Sequence, residues 1–222
     1  ASNNTAVGHD ALRANTTGTN NVAVGANALD VNTTAGNNTA VGTLALSANT
    51  TANNGTAVGY NSLGANTTAN HNTGIGFRSL EANTTGTQNI ASGSRSLQAN
   101  TTGSNNTATG YRALGVNTTG ASNAAVGNLA LTANTTGFGN TSVGQRSGES
   151  TTTGTDNVFM GREAGRDVTT GGNNIIIGTA AGLANSPSGQ ITTGSNNVVL
   201  GDNNITNAFI KVAFTVTSDQ RD

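Results

Sequence analysis

The string Asn38-Thr39-Ala40-Val41-Gly42-Thr43-Leu44-Ala45-Leu46 is one copy of a unit that recurs every 17 residues. The glycine marks the period, because it returns at this interval without a slip from Gly8 to Gly178. A leucine follows it by four residues in the first eight copies, and an Asn-Thr-Thr triplet comes next in each of them. A fixed period of this size is typical of a stacked repeat protein, so this unit decides the fold.

The length of the unit predicts one coil of a β-solenoid. Helical repeats need about 33 residues or more, which excludes a helix pair. Thr39-Ala40-Val41 has the alternation of a strand, and the glycine and the Asn-Thr-Thr triplet favour turns. We therefore predict an all-β protein, a parallel β-solenoid (β-roll) of 17-residue coils, each with two short strands and two turns. Coils about 4.8 Å apart would form a rod on the order of 55 Å long, with identical residues stacked in ladders.

The strand alternation also predicts which side chains lie inside the coil. We expect Val41 and Leu46 and their equivalents to point inward, and Ala40 and its equivalents to point outward. One valine and one leucine bury little, at about 1.5–3 kcal/mol per large apolar side chain, so packing of further copies on the outward alanines would supply the missing burial. The alternative is that the small residues, such as Ala45, only fill a tight interior.

The repeats extend over residues 1–201, and residues 202–222 are expected to hold a C-terminal cap strand. Between Gly178 and Gly201 the interval is 23 residues instead of 17, so six residues are inserted near 184–190. This insertion contains the only proline and is expected to form a surface loop.

The unit changes before the insertion, where the strands become apolar throughout. Val158-Phe159-Met160 and Ile175-Ile176-Ile177 are expected to be buried on both faces, with the tightest packing between chains around a common axis. At the other end, Ala1 falls inside a repeat, so we expect further coils upstream.

Composition excludes several classes of protein. Only 9% of the residues are charged and 3% are aromatic, while 31 are glycine, so a conventional globular core is excluded. A net charge of −1 offers no long-range attraction to nucleic acid or to an acidic membrane surface. The absence of cysteine excludes disulfides and thiolate metal sites, and no apolar run is long enough for membrane insertion.

Residues suited to catalysis are sparse. His9 and His71 occupy different positions of the unit, so we expect solvated side chains instead of a metal or base pair. Carboxylates such as Glu81 and Glu149 are scattered, and they form no pair of the kind that glycoside hydrolysis needs. We therefore expect no enzyme active site, no metal site and no cofactor in the repeats.

Candidate binding residues lie in two columns beside the repeat glycine. An arginine stands two residues after it in four coils: Arg78, Arg95, Arg112 and Arg146. An aromatic residue stands one residue after it in three coils: Tyr60, Phe77 and Tyr111. Stacked arginines would form a basic stripe that a host-surface glycan or a phosphate surface could recognise, and the rings could stack on sugars. The alternatives are a solvated edge with arginines paired to Glu81 and Glu149, and rings that pack at a corner or between chains.

The Asn-Thr-Thr triplets allow more than one interpretation. They match the N-glycosylation acceptor pattern. Their regular spacing favours a structural cause, because asparagine tolerates a left-handed corner and stacked asparagines bond along a ladder. Paired threonine columns on a flat face also resemble those of ice-binding β-solenoids, which is an alternative function.

The unit Asn-Thr-Ala-Val-Gly-x-x-Ala-Leu resembles the head repeat of trimeric autotransporter adhesins over residues 4–201. In that family a similar Val-Ala-Ile-Gly string recurs in a left-handed parallel β-roll of three chains. The resemblance therefore implies a homotrimer, although the period of this chain is longer than that family's usual one.

The last seven residues, Val216-Thr217-Ser218-Asp219-Gln220-Arg221-Asp222, resemble the entry to the chaperone domain of phage endosialidases, tail spikes and tail fibres. That intramolecular chaperone trimerises the upstream β-structure and then cuts a Ser-Asp bond, with the serine as nucleophile. By this resemblance the bond between Ser218 and Asp219 is the self-cleavage site, and residues 202–222 include the start of a missing chaperone domain.

Together these resemblances imply a non-enzymatic structural and adhesive rod of a phage tail fibre or a related surface adhesin. Such a rod would lie in the virion or at a cell surface, and it would hold or form a receptor-binding part. Its partners would be its own copies and a host-surface glycan. The alternatives are an ice-binding solenoid, the trimeric adhesin head of a bacterium, and a tail-spike glycanase with clustered carboxylates.

Overall fold

The computed structural model describes residues 1–207, which form one continuous stack of similar coils. Each coil contains one three-residue strand, and the remainder consists of turns and bends. The twelve strands are β1 (Thr5–Val7), β2 (Val22–Val24), β3 (Thr39–Val41), β4 (Thr56–Val58), β5 (Thr73–Ile75), β6 (Ile90–Ser92), β7 (Thr107–Thr109), β8 (Ala124–Val126), β9 (Thr141–Val143), β10 (Val158–Met160), β11 (Ile175–Ile177) and β12 (Val198–Leu200). The predicted all-β parallel solenoid is confirmed, whereas the second strand predicted for each coil was wrong.

Hydrogen bonds join each coil to the next around its circumference. The strands pair in parallel and in chain order, so that Thr39 lies opposite Val22 on one side and Thr56 on the other. The bonds continue outside the sheet, for example from Leu46 N to Ser62 O at 3.0 Å. Because the turns also bond from coil to coil, the short strands do not leave the rest of the backbone unpaired.

The interior of each coil is narrow, and this reverses the predicted orientation of the strand. Ala40 and Leu46 are fully buried, whereas Val41 is 36% exposed. The prediction that Val41 points inward and Ala40 outward was therefore wrong. A leucine from the turn fills most of the interior, so the strand contributes only a small residue and its larger side chains lie outside. The alternative, that small residues such as Ala45 fill a tight interior, is confirmed.

The repeat glycine forms the corner after each strand. Gly42 has a φ of +137°, and a Cβ there would lie 2.5 Å from the carbonyl oxygen of Gly59 in the next coil. Both the positive φ and the close approach of the backbone require glycine. The predicted placement of these glycines at coil corners is confirmed from Gly8 to Gly178.

The repeat leucine adopts a left-handed backbone, which explains the missing second strand. The φ of Leu46 is +49°, and the eight repeat leucines all lie between +48° and +53°. A left-handed residue costs about 1–2 kcal/mol and interrupts an extended run. Burial of a leucine side chain contributes about 1.5–3 kcal/mol, which offsets that strain. Leucine is tolerated at this position because its side chain is the core.

Three later coils fill the same interior in the opposite way. After Leu131, glycine takes the left-handed position at Gly148, Gly165 and Gly182. The strands now supply the large residues, Phe159 and Ile176, which are both fully buried. A Cβ at Gly148 would lie 2.5 Å from Cδ2 of Phe159. In the coils of β10 and β11, a large strand residue with a turn glycine thus replaces a small strand residue with a turn leucine. Phe159 also fills the space beside Gly148 in the preceding coil, where the strand residue is Ser142.

The flanking residues of these strands face outward. Met160 is 43% exposed and Ile177 is 38% exposed in the single chain. The interior of one coil accepts only the central residue of each strand, so burial of β10 and β11 on both faces requires packing between chains and stays a prediction.

Two predictions concern the C-terminal part of the rod. The insertion forms turns with Pro187 exposed, and a hydrogen bond of 2.9 Å from Ile191 N to Gly182 O closes it, so the surface loop is confirmed. Residues 202–207 contain no strand, and the remainder of the predicted cap lies outside the described residues.

Buried asparagines form two columns inside the rod. Nδ2 of Asn117 donates to Oδ1 of Asn100 at 2.8 Å and to the carbonyl oxygen of Gly120 at 3.0 Å. In the column that precedes the strands, Oδ1 of Asn106 accepts from the backbone N of Asn123 at 3.0 Å. The predicted asparagine ladder is confirmed. The Asn-Thr-Thr asparagines do not have a positive φ, so their assignment to a left-handed corner was wrong.

The central strand residue and the turn residue share the interior volume of the coil, and we expect this coupling to be measurable in a double-mutant cycle. Gly165→Leu restores the leucine of the earlier coils and should destabilise by about 1–3 kcal/mol, because it meets the ring of Phe159. Phe159→Ala should cost about 3–5 kcal/mol through the cavity that it leaves. The double variant should be more stable than the sum of the two losses. Urea unfolding of the four proteins measures this, and additive losses would contradict it.

The asparagine ladder is tested by Asn100→Asp. The substitution replaces Nδ2, which donates to Asn83 Oδ1 and to Gly103 O at 2.9 Å each, with an oxygen that faces two acceptors. An unsatisfied buried charge of this kind should cost several kcal/mol. Asn128→Asp makes the same change at an exposed side chain and should be nearly neutral. Thermal unfolding compares the two, and equal melting temperatures would exclude a stabilising role for the ladder.

Candidate binding surfaces

The outward side of the twelve strands forms one continuous surface, which we call the sheet face. It consists of the first and third residues of every strand, and none of the twelve strands contains a charged residue. Its large apolar side chains are exposed at these positions: Val7, Val22, Val41, Ile75, Ile90, Val126, Val143, Met160, Ile175, Ile177, Val198 and Leu200. With strands about 4.8 Å apart, the sheet face is a strip on the order of 50 Å long.

The composition of the sheet face changes along the rod. From β1 to β9, threonine is the first residue of six strands. From β10 to β12, every outward residue is apolar. Because continuous exposed apolar surface marks places where proteins associate, the C-terminal end of the sheet face is the strongest candidate for an interface.

The arginines predicted to stack do follow one another in adjacent coils. Arg78, Arg95 and Arg112 have similar φ values of +53° to +60°, and the backbone N of Arg95 donates to Phe77 O at 2.8 Å. Leu129 occupies the next coil and separates them from Arg146. The column is therefore a run of three arginines followed by one more.

Two of these arginines have carboxylate partners, as one of the sequence alternatives proposed. Nε of Arg146 donates to Oε2 of Glu149 at 2.7 Å, and this hydrogen bond raises the pKa of Arg146. Nε of Arg78 lies 3.5 Å from Oε1 of Glu81, which is too long for a strong hydrogen bond. Both pairs are partly exposed, so each contributes little to stability.

The carboxylate of Glu81 is engaged mainly by amides. Nδ2 of Asn61 donates to it at 2.6 Å, and Nε2 of Gln98 donates to it at 2.7 Å. Arg95 and Arg112 form no ion pair within residues 1–207. Two guanidinium groups in neighbouring coils are therefore without a carboxylate partner in this part of the chain.

The aromatic column lies directly beside the arginines. The rings of Tyr60 and Phe77 stack with centroids 5.6 Å apart and planes inclined by 16°. The guanidinium carbon of Arg78 lies 5.2 Å from the Phe77 centroid, and that of Arg95 lies 5.9 Å from it. Tyr60, Phe77 and Tyr111 are all more than 40% exposed, so Tyr60 and Phe77 pack on each other at the corner and all three rings still present area to solvent.

The Asn-Thr-Thr triplets present less surface than their sequence indicates. Asn117 is fully buried, so the folded rod does not expose it as a glycosylation acceptor. Oγ1 of Thr118 donates to the carbonyl oxygen of Thr135 at 3.0 Å and Thr118 is partly buried, whereas Thr119 is exposed on a bend. The paired threonine columns are therefore not a flat face with two free rows of hydroxyl groups.

Features that would indicate catalysis are absent from the described residues. His9 and His71 are exposed in different coils, and Nδ1 of His9 lies 3.4 Å from Asp10. Residues 1–207 contain no group of three or more side chains suited to hold a metal ion and no pocket. Ser218 and Asp219, the predicted self-cleavage bond, lie outside the described residues.

The fold and its surfaces define the protein as a parallel β-solenoid repeat protein. The part of the chain that the structure describes contains no helix able to cross a bilayer. No protein-family model, curated protein or solved structure matches the chain.

Proposed function

We propose that this chain is a structural and adhesive rod whose sheet face is covered by further copies of the chain in a homotrimer. The observation that carries the proposal is the sheet face itself, an uncharged surface with exposed valine, isoleucine, methionine or leucine side chains on ten of the twelve strands. Association would remove these side chains from water, which is the main favourable contribution to most protein interfaces.

The size of the sheet face fits association along the whole rod. A strip on the order of 50 Å by 10 Å amounts to about 500 Å², which is near the upper end of the apolar patches found on monomers. A stable interface buries about 800 Å² per partner, so the sheet face would form the centre of the contact and flanking turn residues its rim. The number of copies rests on the resemblance to trimeric adhesin heads, since two flat faces could also pair as a dimer.

The association predicts that Ile177→Asp disrupts the oligomer without unfolding the coil. Ile177 is 38% exposed and lies on the apolar end of the sheet face, whereas Ile176 is part of the coil interior. The variant would place one unpaired carboxylate per copy in a dry interface, at several kcal/mol each. Thr170→Asp, on an exposed bend of the preceding coil, is the matched control and should leave the oligomer intact.

Sedimentation velocity gives the native mass, and circular dichroism checks that each variant retains its β-structure. We expect a trimer for the native rod and for Thr170→Asp, and monomers for Ile177→Asp. A native monomer, or an Ile177→Asp variant with unchanged mass, would refute the association. A native dimer would refute the trimer and leave the use of the sheet face intact.

We place the rod in a phage tail fibre or a related surface adhesin, and therefore in a virion or at a cell surface. The support is the resemblance of the repeat to adhesin heads and of the segment around Ser218-Asp219 to a chaperone junction. The proposed rod is not an enzyme and uses no cofactor. Its role is to hold a receptor-binding part at a distance or to form one.

Ice binding is the second candidate, because part of the sheet face has a suitable pattern. Six of the strands from β1 to β9 begin with an outward threonine, in register on a parallel sheet. Ice binding requires this face to be free, whereas the trimer covers it. We therefore expect no thermal hysteresis from the native rod; hysteresis that Thr56→Leu and Thr73→Leu abolish would favour ice binding over the trimer.

A further inference from the structure

We propose that the corners after β4 to β7 bind an acidic polysaccharide, a linear sugar polymer that carries carboxylate or sulfate groups. The site, which we call the corner patch, consists of Tyr60, Phe77, Arg78, Arg95, Tyr111 and Arg112. This inference does not depend on the sheet face or on the number of copies in the rod.

The corner patch concentrates residue types that are rare in this chain. It holds both tyrosines and three of the nine basic residues, all within four consecutive coils. The buried columns do not require them, since Ala26 and Thr43 occupy the aromatic position and Asn27 and Leu44 the arginine position in coils with the same core. The requirements of the fold therefore do not explain why these residues are concentrated in four coils.

The charge of the corner patch also sets it apart from the other arginines nearby. After β9 and β10, Arg146 pairs with Glu149, and Arg162 and Arg166 both pair with Glu163. In the corner patch, three arginines face a single described carboxylate partner, Glu81, whose oxygens also accept hydrogen bonds from Asn61 and Gln98. The corner patch thus carries a local excess of about two positive charges, because Arg95 and Arg112 have no ion pair in the described chain.

The geometry indicates a polymer instead of a small anion. Tyr60 and Phe77 form a stacked pair in which both residues are more than 40% exposed, and the guanidinium of Arg95 is positioned over the ring of Phe77. The same two positions recur about every 4.8 Å along the rod, with Asn61 in place of an arginine after β4 and Ser94 in place of a ring after β6, so the contacts form a row. The described residues contain no pocket that would enclose a small ligand, which also favours an extended ligand lying across the corners.

The chemistry of the side chains identifies the ligand class. A guanidinium presents a planar fork of donors that binds carboxylate or sulfate oxygens in pairs, and such hydrogen bonds are the stronger ones. Exposed aromatic rings offer apolar faces against which the C–H groups of a sugar ring pack, while their edges remain in solvent. Single-stranded nucleic acid is the competing polyanion, but it is favoured by longer basic grooves than three arginines provide.

The experiment uses the rod immobilised on a biosensor, with polygalacturonate, dextran sulfate, neutral dextran and single-stranded DNA as probes. We expect binding to polygalacturonate or to dextran sulfate, binding that weakens as salt rises, and no binding to neutral dextran. Preference between the two acidic polymers identifies the anionic group as carboxylate or sulfate.

The variants assign the binding to the corner patch. Arg95→Gln with Arg112→Gln should weaken it by about tenfold or more, because two charge-assisted contacts are lost. Phe77→Leu, which keeps an apolar side chain without a ring, should weaken it several-fold, and Glu81→Gln should strengthen it by removing a nearby negative charge. Arg162→Gln removes the same charge from an exposed arginine five coils beyond Phe77 and should leave affinity unchanged.

Three results would overturn the proposal: no affinity for either acidic polymer, an equal loss of affinity in Arg162→Gln, or tighter binding of the DNA than of both polysaccharides. If Arg95→Gln with Arg112→Gln lowers the melting temperature, the decision rests on Phe77→Leu and Glu81→Gln. These two must then change affinity in opposite directions, and any other outcome counts against the corner patch.

Discussion

The volume inside one coil is the constraint on which the rest of the structure depends. Each coil from β2 to β8 encloses one leucine from the turn and one residue no larger than alanine from the strand, as with Leu46 and Ala40. The larger strand residues are therefore placed outside, where they become the sheet face. Each coil fits its interior by placing its β-branched strand side chains outside. The apolar surface that these side chains form makes association with another chain favourable.

So small an apolar interior leaves much of the cohesion to buried hydrogen bonds. Asparagine suits this role because its side chain has a donor and an acceptor, so a stacked column can satisfy every member from the coil above and the coil below. Asn100 illustrates this, since it donates to Asn83 and accepts from Asn117. A charged residue in the same column would lack one of these functions, which accounts for the uncharged interior of a chain with only 9% charged residues.

The sequence was sufficient to predict the period, the glycine corners, the inward leucines, the inserted loop and the stacked arginines, because each of these follows from the spacing alone. It did not predict correctly which side of the strand is inside. Alternation over three residues such as Thr39-Ala40-Val41 shows that the strand has two faces, but it does not show which face points into the coil. Residue size contained the missing signal: the central residue is alanine, glycine or serine until Phe159, and the turn leucine becomes glycine from Gly148 onward, beginning one coil before the central residue becomes large. The left-handed leucines could not be predicted, because this conformation is unfavourable for leucine and is stabilised only by the burial that the folded coil supplies.

Packing of the interior explains the residue types of the core columns, but it does not explain those of the corner columns. The arginines show this difference. Like charges repeated at the coil spacing of about 4.8 Å repel one another by about 1 kcal/mol even in water, so a column of one charge is costly to extend. The position is partly exposed and does not require arginine three times in succession, since Leu44 and Leu129 occupy it in other coils. Phe77 and Glu81 offset part of the repulsion around Arg78, but they leave Arg95 and Arg112 without a carboxylate in the described chain. A polyanion laid along the corners would remove the remaining repulsion, and for this reason the run of arginines is better explained by a ligand than by the stability of the rod.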